Sequence, residues 1–159
     1  MEKIIEIFTD GAAKGNPGNG GYGVYLRFGT KIKELSQGYR LTTNNRMELL
    51  AVVVALESLK TTTYSVRITS DSKYVIDSIT KGWVFNWVKK GFSGKKNEDL
   101  WRRYLAVSKN FKIEFVWVRG HNGHFENERC DVLAVQAAES TNLLIDENYE
   151  QKENSNHLF

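Results

Sequence analysis

The stretch Ile4-Ile5-Glu6-Ile7-Phe8-Thr9-Asp10-Gly11 decides how the rest of the chain is read. It is apolar and β-branched for most of its length, then ends in a carboxylate followed by glycine. A run this apolar predicts a strand buried on much of both faces. Such a strand is rigid and holds a carboxylate at its end to a small positional error, which is what a metal site requires of its ligands. Asp-Gly is also a common turn signal, so Asp10 alone does not separate a ligand from a turn residue. Its surroundings do. Three further carboxylates, Glu48, Asp71 and Asp131, each fall at the edge of a predicted element.

The chain has 159 residues, of which 41% are hydrophobic, enough for one domain with a substantial core. No apolar run reaches the roughly 18 residues of a spanning helix. No basic segment followed by an apolar one precedes the first strand, and the expectation is a cytoplasmic protein. The single cysteine, Cys130, excludes an internal disulfide and reads as a buried core residue. Net charge is only +3, but it is unevenly distributed. Between Lys81 and Arg103 seven basic residues face only Glu98 and Asp99. From Glu139 onward Asp146, Glu147, Glu150 and Glu153 outnumber Lys152. A basic block predicts a polyanionic partner.

After Asp10, the stretch from Gly11 to Gly21 reads as a glycine-rich loop. It lacks the ending of a P-loop and the spacing of a dinucleotide fingerprint. Strands are predicted at Tyr22–Phe28 and Ile32–Tyr39, and their short connections imply antiparallel pairing. Thr42-Thr43-Asn44-Asn45 opens a helix whose Leu49, Val52, Val53, Leu56 and Leu59 recur at helical spacing. Glu48 lies at the first turn of its inward stripe. Asn45 with Glu48 three residues on also fits a capping box. A strand at Val66–Ser70 leads into Asp71 and a helix to Ile79. Asp71 there fits either a ligand at a strand-to-helix junction or an N-cap.

Trp83, Phe85, Trp87 and Phe92 are interleaved with the basic block. Cations suit phosphates and rings suit sugars and bases, so this segment is a candidate nucleic-acid surface. Gly91-Phe92-Ser93-Gly94 reads as an exposed loop tip. A helix follows at Glu98–Lys109, then a last strand at Ile113–Val118. The glycine-punctuated loop Arg119-Gly120-His121-Asn122-Gly123-His124 comes next, and a final helix at Glu126–Glu139. Small residues beside Asp131 on that helix predict a close approach to the sheet. From Thr141 the periodicity breaks, and 141–159 reads as an acidic, flexible tail.

Crowded carboxylates repel one another unless a cation intervenes. Oxygen-only ligands select hard cations such as magnesium or manganese. Two such ions about 4 Å apart activate water and stabilise the leaving oxygen in phosphodiester hydrolysis. The residues alone therefore point to a metal-dependent nuclease of unspecified nucleic acid.

Six stretches resemble the type 1 ribonucleases H: Phe8–Gly11, Gly15–Gly23, Thr42–Leu49, Thr69–Val75, Trp117–His124 and Glu126–Asp131. They occur in the family's order between about residues 4 and 139. The resemblance implies an α/β fold, with a five-stranded mixed sheet of three antiparallel strands followed by parallel ones, flanked by helices. It implies a catalytic domain over 1–140, with a basic protrusion at about 81–97. The implied activity is endonucleolytic cleavage of the RNA strand of an RNA–DNA hybrid by a monomer, leaving a 3′-hydroxyl and a 5′-phosphate. The implied cofactor is Mg2+, two ions per site, with Mn2+ as a second candidate. By matching positions, Asp10 would contact both metals, Asp131 would complete one site, and Glu48 and Asp71 the other. His121 matches the catalytic histidine. Asn16, Asn44 and Asn45 would read the minor groove and the 2′-hydroxyls that distinguish RNA from DNA. Thr43 and Asn97 match a pocket for a DNA-strand phosphate. Trp83 with Lys89, Lys90, Lys95 and Lys96 matches the protrusion that holds the hybrid.

Three features depart from the family's pattern. The Lys89–Asn97 segment is shorter than in long-protrusion bacterial members, Lys73 stands where glutamine is frequent, and Leu41 stands where a basic residue can line the phosphate pocket. A hybrid-binding module without catalysis is the alternative. Loss of a carboxylate would mark it, and all four are present. A related nuclease acting on DNA is disfavoured by the asparagine cluster and the histidine loop.

Overall fold

A computed structural model describes residues 3–60, 63–120 and 123–156. The first strand, β1 (Ile4–Lys14), lies inside the sheet and is apolar on both faces for a clear reason. Ile5 and Ile7 enter the larger core, while Phe8 packs with Tyr25 and Cys130 on the other side. β1 pairs antiparallel with β2 (Gly18–Phe28), which pairs antiparallel with β3 (Lys31–Thr42). On its other edge β1 pairs parallel with β4 (Ser65–Ser70), and β4 with β5 (Ile113–Trp117).

The predicted glycine-rich loop is mostly strand. β1 continues to Lys14 and β2 begins at Gly18, so the turn between them is three residues long. The glycines are there because helices lie directly on the sheet. Helix α1 (Asn44–Glu57) and helix α5 (Phe125–Glu139) both pack against it. A Cβ on Gly23 would fall 2.2 Å from the Cys130 carbonyl oxygen of α5, and one on Gly38 would fall 2.1 Å from that of Ala137. The small residues of α5 and the strand glycines together bring this helix down onto β2 and β3.

α1 is buried nearly all round. Ala51, Val52, Val53, Ala55 and Leu56 all lie in the core, since the sheet covers one side and α4 (Glu98–Ser108) another. Between them run α2 (Lys73–Thr80) and the short α3 (Trp83–Lys89). Trp101 of α4 is fully buried, with Tyr74, Trp87 and Tyr104 at ring-centroid distances of 5.8–5.9 Å. This cluster roots the basic segment. Phe92, expected at an exposed tip, is instead buried, with the Arg102 guanidinium 5.0 Å from its ring. It holds a left-handed φ of 59°, a strain that burial of the ring offsets.

The sheet has a sixth strand, and the acidic tail is folded. β6 (Leu143–Leu144) pairs parallel with β3, and α6 (Glu147–Asn156) follows it. The reason is a buried charge pair. Asp146 accepts hydrogen bonds from Arg46 Nε at 2.8 Å, Arg46 Nη2 at 2.9 Å and Thr42 Oγ1 at 2.8 Å. A carboxylate satisfied three ways is worth burying, which a tail of solvated charges is not. Among the described residues no helix is long and apolar enough to cross a membrane.

Candidate active site

Three elements deliver the first three carboxylates to one spot. The β1–β4 register pairs Phe8 with Thr69, so two residues further on Asp10 and Asp71 come level. Glu48 comes from α1, just past its first turn. The helix rests there on Gly11, where a Cβ would lie 2.3 Å from the Glu48 backbone nitrogen and 2.4 Å from the Met47 carbonyl carbon. One carboxylate oxygen from each of Asp10, Glu48 and Asp71 lies within 4.8 Å of the other two. Asp131, on α5, lines the same cleft as Asp10 and Asp71, together with Arg119, His124 and Glu128. His121 lies outside the described residues.

Local alternatives for two of these carboxylates are removed by the caps. Thr43 caps α1, its hydroxyl accepting from Arg46 N at 3.2 Å, so Glu48 closes no capping box. Glu48 instead accepts from Gly11 N, and Asp10 Oδ1 accepts from the same N–H at 2.9 Å. Ser72 caps α2 by accepting from Val75 N at 3.2 Å, leaving the Asp71 side chain to the cleft. The Asp71 main-chain carbonyl accepts from Trp117 Nε1 at 3.0 Å, which fixes the junction.

The electrostatics are those of a site built for a cation. Burial, with Asp71 and Asp131 nearby, pushes Asp10 up to about 7 despite its hydrogen bonds to Glu48 and Gly11. Burial and the Asp10 charge push Glu48 well above the usual carboxylate range. Two arginines close to these carboxylates in sequence, Arg46 and Arg129, are engaged elsewhere, and Arg119 is the cation that lines the cleft itself. Arg46 forms a bidentate pair with Asp99 and a second with Asp146, and Arg129 a bidentate pair with Glu34. Buried, mutually repelling oxygens within reach of one another fit a hard divalent cation. Cys130 takes no part: it is buried, its thiol pushed up by burial and donating to the Phe8 carbonyl at 3.2 Å.

The expected substrate-binding residues divide into two groups. Asn16, Thr43, Asn45, Lys95, Lys96 and Asn97 line one groove beside the N-terminus of α1. Asn44 joins them through its backbone N–H, which donates to Asn16 Oδ1 at 3.1 Å. An adjoining groove takes Trp83 with Asn45, Lys95, Lys96 and Asn97. Asn97 is held in place at both ends, Oδ1 accepting from Arg46 Nη1 at 3.3 Å and Nδ2 donating to Tyr74 Oη at 3.0 Å. Lys89 and Lys90 are exposed at the end of α3 and line neither groove. Sequence reasoning missed Tyr149, Lys152 and Glu153, which α6 brings to the first groove. The apolar run Leu143-Leu144-Ile145 in the acidic tail is the one signal in the sequence that this segment packs.

The architecture by itself defines a class: a mixed α/β domain with an acidic cleft, suited to a divalent cation, beside its central strands β1 and β4. The chain belongs to the RNase H family, whose model matches residues 2–139. It is 50% identical over 155 residues to the ribonuclease H of Rippkaea orientalis, with 94% of each chain covered. It is 54% identical over 141 residues to that of Novosphingobium aromaticivorans, covering 86% of this chain and 97% of the relative. Among solved structures, LC9-RNase H1 matches with a TM-score of 0.75 at 29% identity, over 96% of this chain and 81% of that one. LC11-RNase H1, solved in complex with an RNA/DNA hybrid, matches with a TM-score of 0.64 at 25% identity, over 85% and 96% of the two chains. The chain is therefore a ribonuclease H enzyme.

Proposed function

We propose that this enzyme cleaves the RNA strand of RNA–DNA hybrids internally, leaving 3′-hydroxyl and 5′-phosphate ends, with Mg2+ as its cofactor and Mn2+ as a substitute. The observation that carries the proposal is the convergence of Asp10, Glu48 and Asp71 in the cleft that Asp131 also lines. Asp10, Glu48, Asp71 and Asp131 would hold the metal. When bound, divalent cations activate the attacking water and stabilise charge on the leaving oxygen. The remaining steps belong to side chains. The side-chain amides of Asn16, Asn44 and Asn45 offer donors and acceptors suited to a 2′-hydroxyl, with Asn16 held by the Asn44 backbone N–H. Lys95, Lys96 and Asn97 face the same groove, where a strand's phosphates would lie. Trp83 offers an exposed ring beside them. Lys89 and Lys90 would add long-range attraction. On the strength of the sequence resemblance, His121 moves a proton between the cleft and solvent.

The proposal takes residues 1–140 as the catalytic domain, with the basic segment at 81–97 as its protrusion. It places a monomer in the cytoplasm, where a lone buried thiol at Cys130 needs no partner. The test is incubation with end-labelled RNA–DNA hybrid, double-stranded RNA and double-stranded DNA, with and without magnesium. Cleavage confined to the RNA of the hybrid, and dependent on the metal, is expected. Equal cutting of either other duplex would refute the substrate assignment.

A further inference from the structure

α6 lies beyond residue 139, where the match to the family model ends, yet it borders the groove just described. Its position is fixed. Asp146 ahead of it is buried against Arg46, and Glu150 forms a bidentate pair with Arg40 at 2.8 and 2.9 Å. The helix is thereby pinned along the Asp146–Glu150 line. Tyr149, Lys152 and Glu153, spaced three and four residues apart, share the adjoining face, and all three line the groove. Tyr149 is already engaged, since the Arg46 guanidinium lies 5.8 Å from its ring centroid.

The charge of the groove makes Lys152 the informative residue. Arg46 forms part of its lining, but that guanidinium is hydrogen-bonded to both Asp99 and Asp146, two carboxylates against one cation. It has no positive charge to spare for a ligand. Lys95 and Lys96 line the groove from the segment after α3, and α6 brings Lys152 together with the carboxylate of Glu153, which the three lysines outnumber. The side chain is exposed on a helix that is itself anchored, so its cation can reach a ligand at small cost in backbone order. Leu41, beside the start of α1, offers no charge.

We propose that Lys152 is a substrate-binding residue, the C-terminal helix contributing a phosphate contact opposite Lys95 and Lys96 in the groove. The ligand is a backbone phosphate of the bound duplex, and the proposal rests on the hybrid-cleaving reading above. The C-terminal segment is then part of the binding surface and no mere appendage to the fold. A contact of this kind adds affinity and salt dependence without base preference.

The test uses the full chain carrying Asp10→Asn, which holds the hybrid uncut, and a fluorescent RNA–DNA hybrid titrated over a range of salt. Lys152→Ala should weaken binding about three- to tenfold and lower the salt slope by about 1. Lys152→Arg should restore both. Lys109→Ala is the control, an exposed lysine capping the far end of α4, roughly 18 Å of helix away from Asn97. It should change neither quantity. In the cleaving enzyme, Lys152→Ala should raise KM by the same factor. Equal weakening by Lys109→Ala and Lys152→Ala would reduce the effect to net charge and overturn the proposal. So would an unchanged Kd and salt slope for Lys152→Ala; continued hybrid cleavage by the parent enzyme would then leave the functional reading standing. Failure of the parent to bind or cut hybrid would overturn both.

Discussion

The Cα of Gly11 and the backbone of Glu48 are in direct contact: a single added carbon on Gly11 would sit 2.3 Å from the Glu48 nitrogen. The same pair is joined by the hydrogen bond from Gly11 N–H to the Glu48 carboxylate. The strand that carries Asp10 and the helix that carries Glu48 are thus registered by one residue having no side chain. Gly11→Ala must push α1 off β1, because backbone cannot yield as a flexible side chain does. It should cost about 3 kcal/mol or more in urea unfolding, the upper end for overpacking, because this site cannot relax. Hybrid cleavage should fall at least tenfold even where the protein is folded. Wild-type stability would show that the helix can shift freely.

The raised Asp10 carboxyl predicts a pH-dependent stability in the absence of divalent cations. In the unfolded chain Asp10 releases its proton near 3.8, and in the folded one near 7. Between those values the folded state binds more protons, so this group lowers stability as pH rises. Asp10→Asn removes the liability. Its stability relative to wild type should increase between pH 4 and 7.5, by on the order of 1–3 kcal/mol. Adding magnesium should close the gap. Thermal unfolding of both proteins across that range, with and without EDTA, checks the sign; a variant less stable at pH 7.5 would make Asp10 a structural residue.

The four lysines of the basic segment should not be equivalent. Lys95 and Lys96 line both grooves, and Lys89 and Lys90 neither. Replacing the first pair with alanine should weaken hybrid binding and flatten its salt dependence by about 2 in slope, one for each phosphate left without its cation. Replacing the second pair should have a smaller effect on both. Turnover at saturating hybrid should change little in either case. Equal slopes for the two pairs would mean that only diffuse charge matters.

His121→Ala should slow turnover about ten- to a hundredfold without abolishing it, because on the proposed reading the carboxylates and the cations they would hold carry most of the chemistry. His124→Ala is a demanding comparison, since His124 lines the acidic cleft. It should do much less. Single-turnover rates for both variants decide the matter, and equal effects would reassign the proton-transfer role.

β1 is legible in the sequence because its apolar run records two buried faces. The sequence pattern puts all four carboxylates at the edges of elements, but only Asp71 stands at one, between β4 and α2; Asp10 lies inside β1, Glu48 just past the first turn of α1 and Asp131 near the middle of α5. What is not legible depends on distant backbone. Gly21 looks like loop material until the Ala134 carbonyl oxygen is found 2.7 Å from where its Cβ would be. Asp146 looks like one more solvated charge until Arg46, a hundred residues earlier, is found beside it. Phe92 sits between two glycines like a loop tip, and only its left-handed φ of 59° turns the ring inward. The tail resists reading for the same reason as Asp146: polar composition predicts solvation only where no buried partner exists.

On the proposed function Asp10, at the meeting of β1, α1 and β4, is indispensable for hydrolysing the RNA strand of a hybrid. The most direct measurement is single-turnover cleavage of a labelled RNA–DNA hybrid by wild type and Asp10→Asn with saturating magnesium, alongside hybrid binding by each. Cleavage should fall by at least a thousandfold in the variant, with binding retained and the fold intact. Cleavage by Asp10→Asn at a rate near that of wild type would contradict that proposal.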